Sequence, residues 1–136
     1  MGTRMNSELP KVLHPIGGAP MLVHAMRAGA ALSPEKTVIV AGHGAEAVSR
    51  AALAYDPEAQ TVLQVEQLGT AHAVAQAGDA LTGFDGDAIV LYGDTPFISA
   101  ETLEAMAKAR TSHDIVVLGF EAADAGRYGR LVTQGD

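Results

Sequence analysis

Two cationic side chains lie near the start of the chain, in a stretch that also contains a glycine. Gly2 and Arg4 belong to the segment GTRM, and Lys11 follows in the segment LPK. The backbone N–H groups of a glycine-bearing loop can approach phosphate oxygens, and Arg and Lys supply the positive charge that a polyphosphate requires. The segment therefore indicates a triphosphate site, although an exposed basic tail explains the same residues when they are taken alone.

A carboxylate follows the apolar run at residues 88–92, in the segment LYGD that ends at Asp94. Ligands bind at the carboxyl ends of the strands in open α/β sheets. Mg²⁺ takes one or two carboxylates and completes its shell with water and phosphate oxygens, so Asp94 is a candidate Mg²⁺ ligand. Gly93 and Asp94 followed by Pro96 are also ordinary turn residues, and only the surrounding motifs can decide between the two readings.

A third polar group runs from the end of an apolar run into a predicted helix and consists of Gln64, Gly69 and Thr70. The amide of Gln64 can both donate and accept hydrogen bonds, which is the chemistry needed to recognise the edge of a pyrimidine. Gly69 permits the close approach of a ring. Thr70 is a candidate N-cap for the helix that begins near Ala71, and capping is compatible with ligand contact.

Residues 42–47 offer a competing interpretation, because they match the pattern Gly-x-Gly-x-x-Ala and Glu66 follows at a suitable distance. Such a pattern after a strand is typical of a nicotinamide dinucleotide site. It is short, however, and it lies in the second βα unit rather than the first. The five histidines show no metal-ligand spacing, so they are interpreted as surface or supporting residues: His14, His24, His43, His72 and His113.

The elements that must position these residues alternate between strands and helices. Four continuous apolar runs rich in β-branched residues predict strands covered on both faces, at residues 37–41, 61–65, 88–92 and 114–120, with a possible short strand at 130–133. Between them, apolar residues recur with helical spacing, from Leu22 to Gly29, Val48 to Tyr55, Ala73 to Leu81, and Leu103 to Ala107. This order predicts an α/β doubly wound sheet, mostly parallel, with helices on both faces.

Composition restricts the partners of the chain. It has 136 residues, 48% hydrophobic and 18% charged, which is the size and composition of one globular domain. The net charge of −7 disfavours nucleic acid and anionic membranes as partners. The absence of cysteine excludes disulfides and thiolate chemistry, and no run is long and apolar enough to span a membrane. We therefore expect a soluble, cytoplasmic protein.

Taken together, seven segments resemble the bifunctional N-acetylglucosamine-1-phosphate uridylyltransferase and glucosamine-1-phosphate acetyltransferase family in order and spacing. They are GTRM (2–5), LPKVLH (9–14), GAPM (18–21), GHG (42–44), EQLGTAH (66–72), LYGD (91–94) and YGR (128–130). The resemblance implies a Rossmann-like fold of the nucleotide-diphospho-sugar transferase type over residues 1–136. It also implies transfer of uridylyl from UTP to N-acetylglucosamine 1-phosphate, with Mg²⁺, to give UDP-N-acetylglucosamine and pyrophosphate for the cell envelope.

The resemblance assigns roles residue by residue. Arg4 and Lys11 match the family's loop cations, which stabilise the transition state and the leaving pyrophosphate, and Asp94 matches its magnesium ligand. The remaining matches are nucleotide contacts at Gly2, Lys11, Gln64, Gly69 and Thr70, and positions facing the nucleotide and sugar at Tyr92, Gly93 and Gly129.

The same resemblance predicts departures from the complete enzyme. The family begins with a central strand and a Leu-x-Ala-Ala-Gly loop ahead of the position of Met1. We therefore expect a domain truncated at both ends and lacking its first strand, with unpaired edges on two neighbouring strands. The β-helix acetyltransferase domain, which builds the family's homotrimers, is expected to be absent. An inactive nucleotide-binding fragment and another sugar-phosphate nucleotidyltransferase remain the alternatives.

Overall fold

The computed structural model describes residue 7 and residues 9–126 and 128–132. Within these residues the chain forms helices α1 (Met21–Ala30), α2 (Ala45–Tyr55), α3 (Thr70–Gln76) and α4 (Ala100–Arg110), and strands β1 (Pro15–Ile16), β2 (Ala19–Pro20), β3 (Val38–Ala41) and β4 (Gln60–Leu63). Two short 3₁₀ helices lie at Lys11–Leu13 and Asp79–Leu81. None of the helices in this part of the chain is long and apolar enough to cross a membrane.

Strands β3 and β4 form a parallel pair, in register from Val38 opposite Gln60 to Ala41 opposite Leu63. Parallel neighbours require a crossover connection, and α2 forms it here between the end of β3 and the start of β4. The predicted alternation of strand and helix is therefore confirmed, and the chain is an α/β protein.

A tight hairpin precedes α1. β1 and β2 pair in antiparallel register, with Pro15 opposite Pro20 and Ile16 opposite Ala19. The two residues between them, Gly17 and Gly18, have φ angles of +57° and +86°, which two-residue hairpin turns require and glycine adopts without strain. The hairpin therefore returns the chain to the end of the 3₁₀ helix at Lys11–Leu13, where the Met21 N–H at the start of α1 donates to the His14 carbonyl at 3.1 Å.

The hydrophobic core lies between α1, α2 and the parallel strand pair. Its buried side chains are Leu13, Leu22, Met26, Ala41, Val48, Ala52 and Ala59. Leu103 anchors α4 with no exposed surface, and Ser99 caps that helix by accepting a 3.2 Å hydrogen bond from the Thr102 N–H. The four predicted helices are confirmed, except that the third ends at Gln76 and continues only as the 3₁₀ helix at Asp79–Leu81.

Two predicted strands, and a third that was given as possible, are wrong for the residues that the structure describes. Residues 88–92 and 114–120 are not assigned to any strand, and residues 130–132 of the last predicted strand are not either. β-branched residues favour a strand, but a strand forms only where a partner backbone satisfies its N–H and C=O groups. Residues 114–120 have no such partner among the described residues, and Ile115 is accordingly 79% exposed.

A groove of about 780 Å³ separates β3 from the segment that precedes Asp94. Residues 38–40 of β3 line one side of it, and Ile89 and Leu91 line another. β3 pairs with β4 alone among the described strands. We call this space the β3 groove.

Candidate functional site

Lys11 is held in place by its neighbours in the chain. The 3₁₀ helix begins with a 2.9 Å hydrogen bond from the Leu13 N–H to the Pro10 carbonyl, and the Leu13 side chain is buried in the core. The Nδ1 atom of His14 lies 3.3 Å from the Pro10 carbonyl oxygen and 3.2 Å from the Lys11 carbonyl oxygen. Because a carbonyl only accepts, Nδ1 carries the hydrogen here and stabilises the turn that presents Lys11.

Pro10 fixes this loop against the start of α2. Gly44 has a φ of +68°, and a Cβ atom added to it would lie 2.4 Å from Cγ of Pro10. No other residue fits that position without displacing the loop. The glycine pattern at 42–47, which resembles a dinucleotide motif, therefore serves close packing between the end of β3 and the Lys11 loop.

Asp94 lies in a tight turn. The Thr95 N–H donates to the Tyr92 carbonyl at 3.1 Å, and the Thr95 hydroxyl donates to the same oxygen at 2.9 Å. A Cβ atom on Gly93 would lie 3.2 Å from Cγ1 of Val12, so the turn packs directly on the 3₁₀ helix of Lys11. Gly93 and Asp94 therefore form a turn, as one of the two interpretations predicts, and this turn also lies beside the predicted site residue Lys11.

Lys11 and Asp94 meet as an ion pair. Nζ of Lys11 lies 2.8 Å from Oδ2 of Asp94, and the two side chains are 53% and 39% exposed. Asp94 also borders a depression of about 430 Å³ that it shares with Ile16, Met21 and residues 95–98. Both charges are therefore accessible to a ligand that approaches from solvent.

The residues present fit a magnesium ion bound together with phosphates. Among the described residues no cluster of three or more His, Cys, Asp or Glu side chains could hold a metal by itself. Mg²⁺ needs only one or two carboxylates when phosphate oxygens and water complete its shell. Asp94 has a half-exposed carboxylate that would hold such an ion, and Lys11 beside it has a cation that would meet the phosphates.

Gln64 lies at the carboxyl end of the parallel strand pair. Its backbone N–H donates to the Ala41 carbonyl at 2.9 Å, continuing the ladder beyond β4. Its side-chain Nε2 lies 3.2 Å from the Gly69 carbonyl oxygen and 3.0 Å from Nδ1 of His72. This is the edge of an α/β sheet at which ligands bind, so Gln64 is suitably placed to contact one.

The segment between Gln64 and α3 is shaped by Gly69, which has a φ of +102°. A Cβ atom on Gly69 would meet no atom within 4 Å, so space for a ring is open there. Gly69 itself occupies the N-cap position, and α3 begins at Thr70. The prediction that Thr70 caps this helix is wrong, because Thr70 is already helical and its hydroxyl is not the capping group.

The remaining predicted residues differ in how they relate to the ion pair. Tyr92 is half-exposed and contributes its carbonyl to the turn of Asp94. Gly129 lies in an exposed stretch with no atom within 4 Å of an added Cβ. Tyr128, the residue before Gly129, packs its ring edge to face on the ring of Phe120, with the ring centroids 5.1 Å apart. Gly2 and Arg4 lie outside the described residues.

Sequence reasoning gave two histidines only a generic supporting role. His14 bonds to the turn that carries Lys11, and His72 contacts the amide of Gln64. The sequence indicates the contact of His72 only indirectly, because His72 lies in the first turn of the helix that follows the strand end at Gln64. Such a contact depends on the conformation of the intervening loop, which residue spacing does not define.

The chain matches a protein family and many bacterial relatives. The MobA-like NTP transferase domain family matches residues 1–129. The bifunctional protein GlmU of Ruegeria pomeroyi is 72% identical over 135 residues, 99% of this chain and 30% of that protein. GlmU of Roseobacter denitrificans is 66% identical over 134 residues, 98% and 30% of the two chains. GlmU of Paracoccus denitrificans is 60% identical over 132 residues, 97% and 29%. The chain thus spans about 30% of the length of these relatives.

Proposed function

The chain belongs to the MobA-like NTP transferase domain family, and we propose that it carries the nucleotide site of a uridylyltransferase that converts UTP and N-acetylglucosamine 1-phosphate into UDP-N-acetylglucosamine and pyrophosphate. The relatives named as bifunctional protein GlmU support this choice within the family. The seven motifs that resemble the bifunctional uridylyltransferases lie within the part of the chain that matches these relatives. The product would serve synthesis of the cell envelope.

The observation that carries the proposal is the ion pair between Lys11 and Asp94, with Nζ and Oδ2 2.8 Å apart. A nucleotidyltransferase needs a cation for the phosphates and a carboxylate for a metal within reach of one triphosphate. Residues far apart in sequence supply both at one place on the surface. A pair this exposed contributes only about 0–1 kcal/mol to folding, so stability alone is a weak explanation for it.

The proposed reaction is a displacement at the α-phosphorus of UTP. A phosphate oxygen of the sugar phosphate forms the new P–O bond, and the bond to pyrophosphate breaks. Lys11 neutralises charge that develops on the phosphoryl oxygens, and we assign Arg4 the same role. Asp94 would hold Mg²⁺, which supplies further positive charge to the phosphates when bound. No side chain needs to become covalently modified.

The base and the sugar are assigned to separate groups of residues. Gln64, Gly69 and Thr70 would contact uracil, with the backbone of Gly2 and the side chain of Lys11 on the phosphates. Gly69 suits this role because the space beside its Cα is open. Tyr92, Gly93 and Gly129 are proposed to face the nucleotide and sugar. The assignment of Gly129 rests on the resemblance.

The test combines binding and turnover. We would titrate the chain with UTP in the presence of Mg²⁺ and measure pyrophosphate release after adding N-acetylglucosamine 1-phosphate. A second protein would carry an added upstream strand ending in Leu-Ala-Ala-Gly. Lys11→Met keeps the length of the side chain and removes its charge, and Lys108→Met makes the same change on exposed α4.

The proposal predicts product that requires both substrates, is lost in Lys11→Met and persists in Lys108→Met. Equal turnover with CTP or GTP would instead identify another sugar-phosphate nucleotidyltransferase. Binding of UTP without product in both proteins would identify a nucleotide-binding module without turnover. If neither protein binds any nucleoside triphosphate, the proposed function is wrong.

A further inference from the structure

The side-chain amide of Gln64 is fixed in one of its two orientations. Its nitrogen lies 3.2 Å from the carbonyl oxygen of Gly69 and 3.0 Å from Nδ1 of His72. A carbonyl oxygen can only accept, so the amide atom beside Gly69 must be the nitrogen and not the oxygen. Its two hydrogens have these two acceptors as partners. Oε1 accepts no hydrogen bond from the rest of the described chain.

For the amide of Gln64 to donate to the ring, His72 accepts at Nδ1 and carries its hydrogen on Nε2. A second amide competes for the ring, since Nε2 of Gln76 lies 3.2 Å from Nε2 of His72. The same Gln76 nitrogen lies 3.2 Å from the His72 carbonyl oxygen. Both amides face the ring with a nitrogen that a carbonyl oxygen marks as a donor, and a neutral imidazole accepts at only one of its two nitrogens. The contact with Gln64 is the shorter, 3.0 Å against 3.2 Å, so we take Nδ1 as the acceptor. Gln76 then donates to the carbonyl of His72 and makes no hydrogen bond to the ring.

We propose that His72 is a positioning residue whose Nδ1 holds the amide of Gln64 with its oxygen toward the ligand, so that the site selects uracil over cytosine. The inference rests on the proposed function, because it concerns the base-recognition part of that site. His72 would touch Gln64 and not the base itself.

The selectivity follows from the edges of the two pyrimidines. Uracil carries a hydrogen on N3 and can donate it to Oε1 of Gln64. Cytosine has a lone pair on N3, which would face the amide oxygen without a hydrogen between them. A buried polar group left without its partner costs more than the hydrogen bond contributes, which is why such contacts discriminate strongly. An amide free to rotate could present its NH₂ group to cytosine instead.

Removing the Nδ1 acceptor should relax this selection only in part, because Gly69 still accepts from the amide. We expect the ratio of UTP to CTP affinity to fall roughly tenfold in His72→Leu, the size expected from one hydrogen bond. His72→Asn places an amide oxygen near the position of Nδ1, so it should restore most of the ratio. His113→Leu, a matched change at the end of α4, should leave the ratio unchanged.

The experiment measures the dissociation constants of UTP and CTP for the whole chain and these variants, with Mg²⁺ present. His72→Leu combined with Gln64→Leu should show no further change beyond Gln64→Leu alone, because the two residues act through one contact. Equal weakening of UTP and CTP in His72→Leu, with the ratio intact, would show a structural role and overturn the inference.

A measurement without nucleotide separates this inference from the proposed function. Nitrogen-15 NMR of the free chain reports which ring nitrogen of His72 carries the hydrogen. The inference predicts a hydrogen on Nε2 and a pair of distinct, slowly exchanging amide hydrogens on Gln64. A hydrogen on Nδ1 would overturn it even if UTP binds. Binding of neither nucleotide, with the predicted NMR signature present, would count against the uridylyltransferase assignment while supporting the positioning contact.

Discussion

Nζ of Lys11 and Oδ2 of Asp94 lie 2.8 Å apart although 83 positions separate the two residues in the sequence. The contact depends on close packing beneath it, because Gly93 lets the turn of Asp94 approach Val12 in the 3₁₀ helix of Lys11. Each charge partly neutralises the other while no ligand is bound. A polyphosphate bound with a divalent cation could replace this pairing with one in which Lys11 meets phosphate and Asp94 meets the metal.

Replacing Asp94 by Asn should abolish the Mg²⁺ dependence of UTP binding while the fold persists. Asparagine keeps the size of the side chain and removes its charge, so the metal loses its carboxylate. The free energy of unfolding should change by less than about 1 kcal/mol, since the ion pair is half-exposed. Titration calorimetry with and without Mg²⁺, together with urea unfolding, measures both quantities.

The matched control is Asp87→Asn, which breaks another exposed ion pair, with 2.9 Å between Oδ1 of Asp87 and Nη2 of Arg110. It should affect stability to a similar small extent and leave the Mg²⁺ dependence intact. If Mg²⁺ strengthens UTP binding equally in Asp94→Asn and in the unaltered chain, Asp94 is not the metal ligand.

Replacing Gly44 by Ala should destabilise the chain and disturb the Lys11 loop. An alanine at a φ of +68° costs about 1–2 kcal/mol, and its Cβ would also lie 2.4 Å from Cγ of Pro10. Gly83→Ala separates the two effects, because Gly83 has a φ of +75° and no atom within 4 Å of an added Cβ. Urea unfolding and UTP titration of both variants make the comparison.

We expect the unfolding free energy to fall further in Gly44→Ala than in Gly83→Ala, and only Gly44→Ala to lose UTP affinity. Equal destabilisation with unchanged affinity in both would mean that the loop of Pro10 and Lys11 adapts to the added methyl group.

Helices and the parallel strand pair followed from local patterns in the sequence. The repeat from Val48 to Tyr55 predicts α2 because the apolar stripe of a helix is visible in the sequence of that helix alone. The strands at 88–92 and 114–120 have equally suitable residues but did not form among the described residues. Strand formation requires a second backbone, and the availability of that partner is a property of the whole sheet rather than of the run itself.

The sequence predicts those site residues whose type and neighbours indicate a chemical role. Lys11 and Asp94 were each proposed from their residue type and neighbours, and the structure brings them together. The contact of His72 with Gln64 was not foreseen, because it depends on the positive φ of Gly69 and the start of α3 at Thr70. A loop of a few residues can take several conformations, and only one of them returns the imidazole to the strand end.

Glu101 gives a small pH dependence to the start of α4. Hydrogen bonds from its own backbone N–H and from the Ser99 side chain lower the pKa of its carboxyl group from the ordinary value of a glutamate. A lowered pKa stabilises the folded chain above the unfolded-state pKa, and the contribution disappears as the pH falls through the folded-state value. The difference in unfolding free energy between the unaltered chain and Glu101→Gln should therefore shrink from pH 7 to pH 3. A difference that grows toward pH 3 would contradict this.

The β3 groove makes a prediction about the sheet itself. We expect the groove, which has a volume of about 780 Å³, to accept a strand added ahead of residue 1 and to pair it with β3. An added segment of alternating Val, Ile and Leu ending in Leu-Ala-Ala-Gly should raise the free energy of unfolding by a few kcal/mol. Each buried aliphatic side chain contributes about 1.5–3 kcal/mol, and ordering each added residue costs about 1–2 kcal/mol.

The control extension carries proline at two central positions, because proline cannot donate to the ladder and should not pair with β3. Urea unfolding measures stability, and hydrogen exchange of the backbone N–H groups at residues 38–40 and 89–91 reports pairing directly. Slower exchange at both sets of residues with the aliphatic extension, and not with the proline one, is the expected result. Equal exchange rates in the two proteins would mean that the groove does not accept a strand and that residues 88–92 do not pair with one.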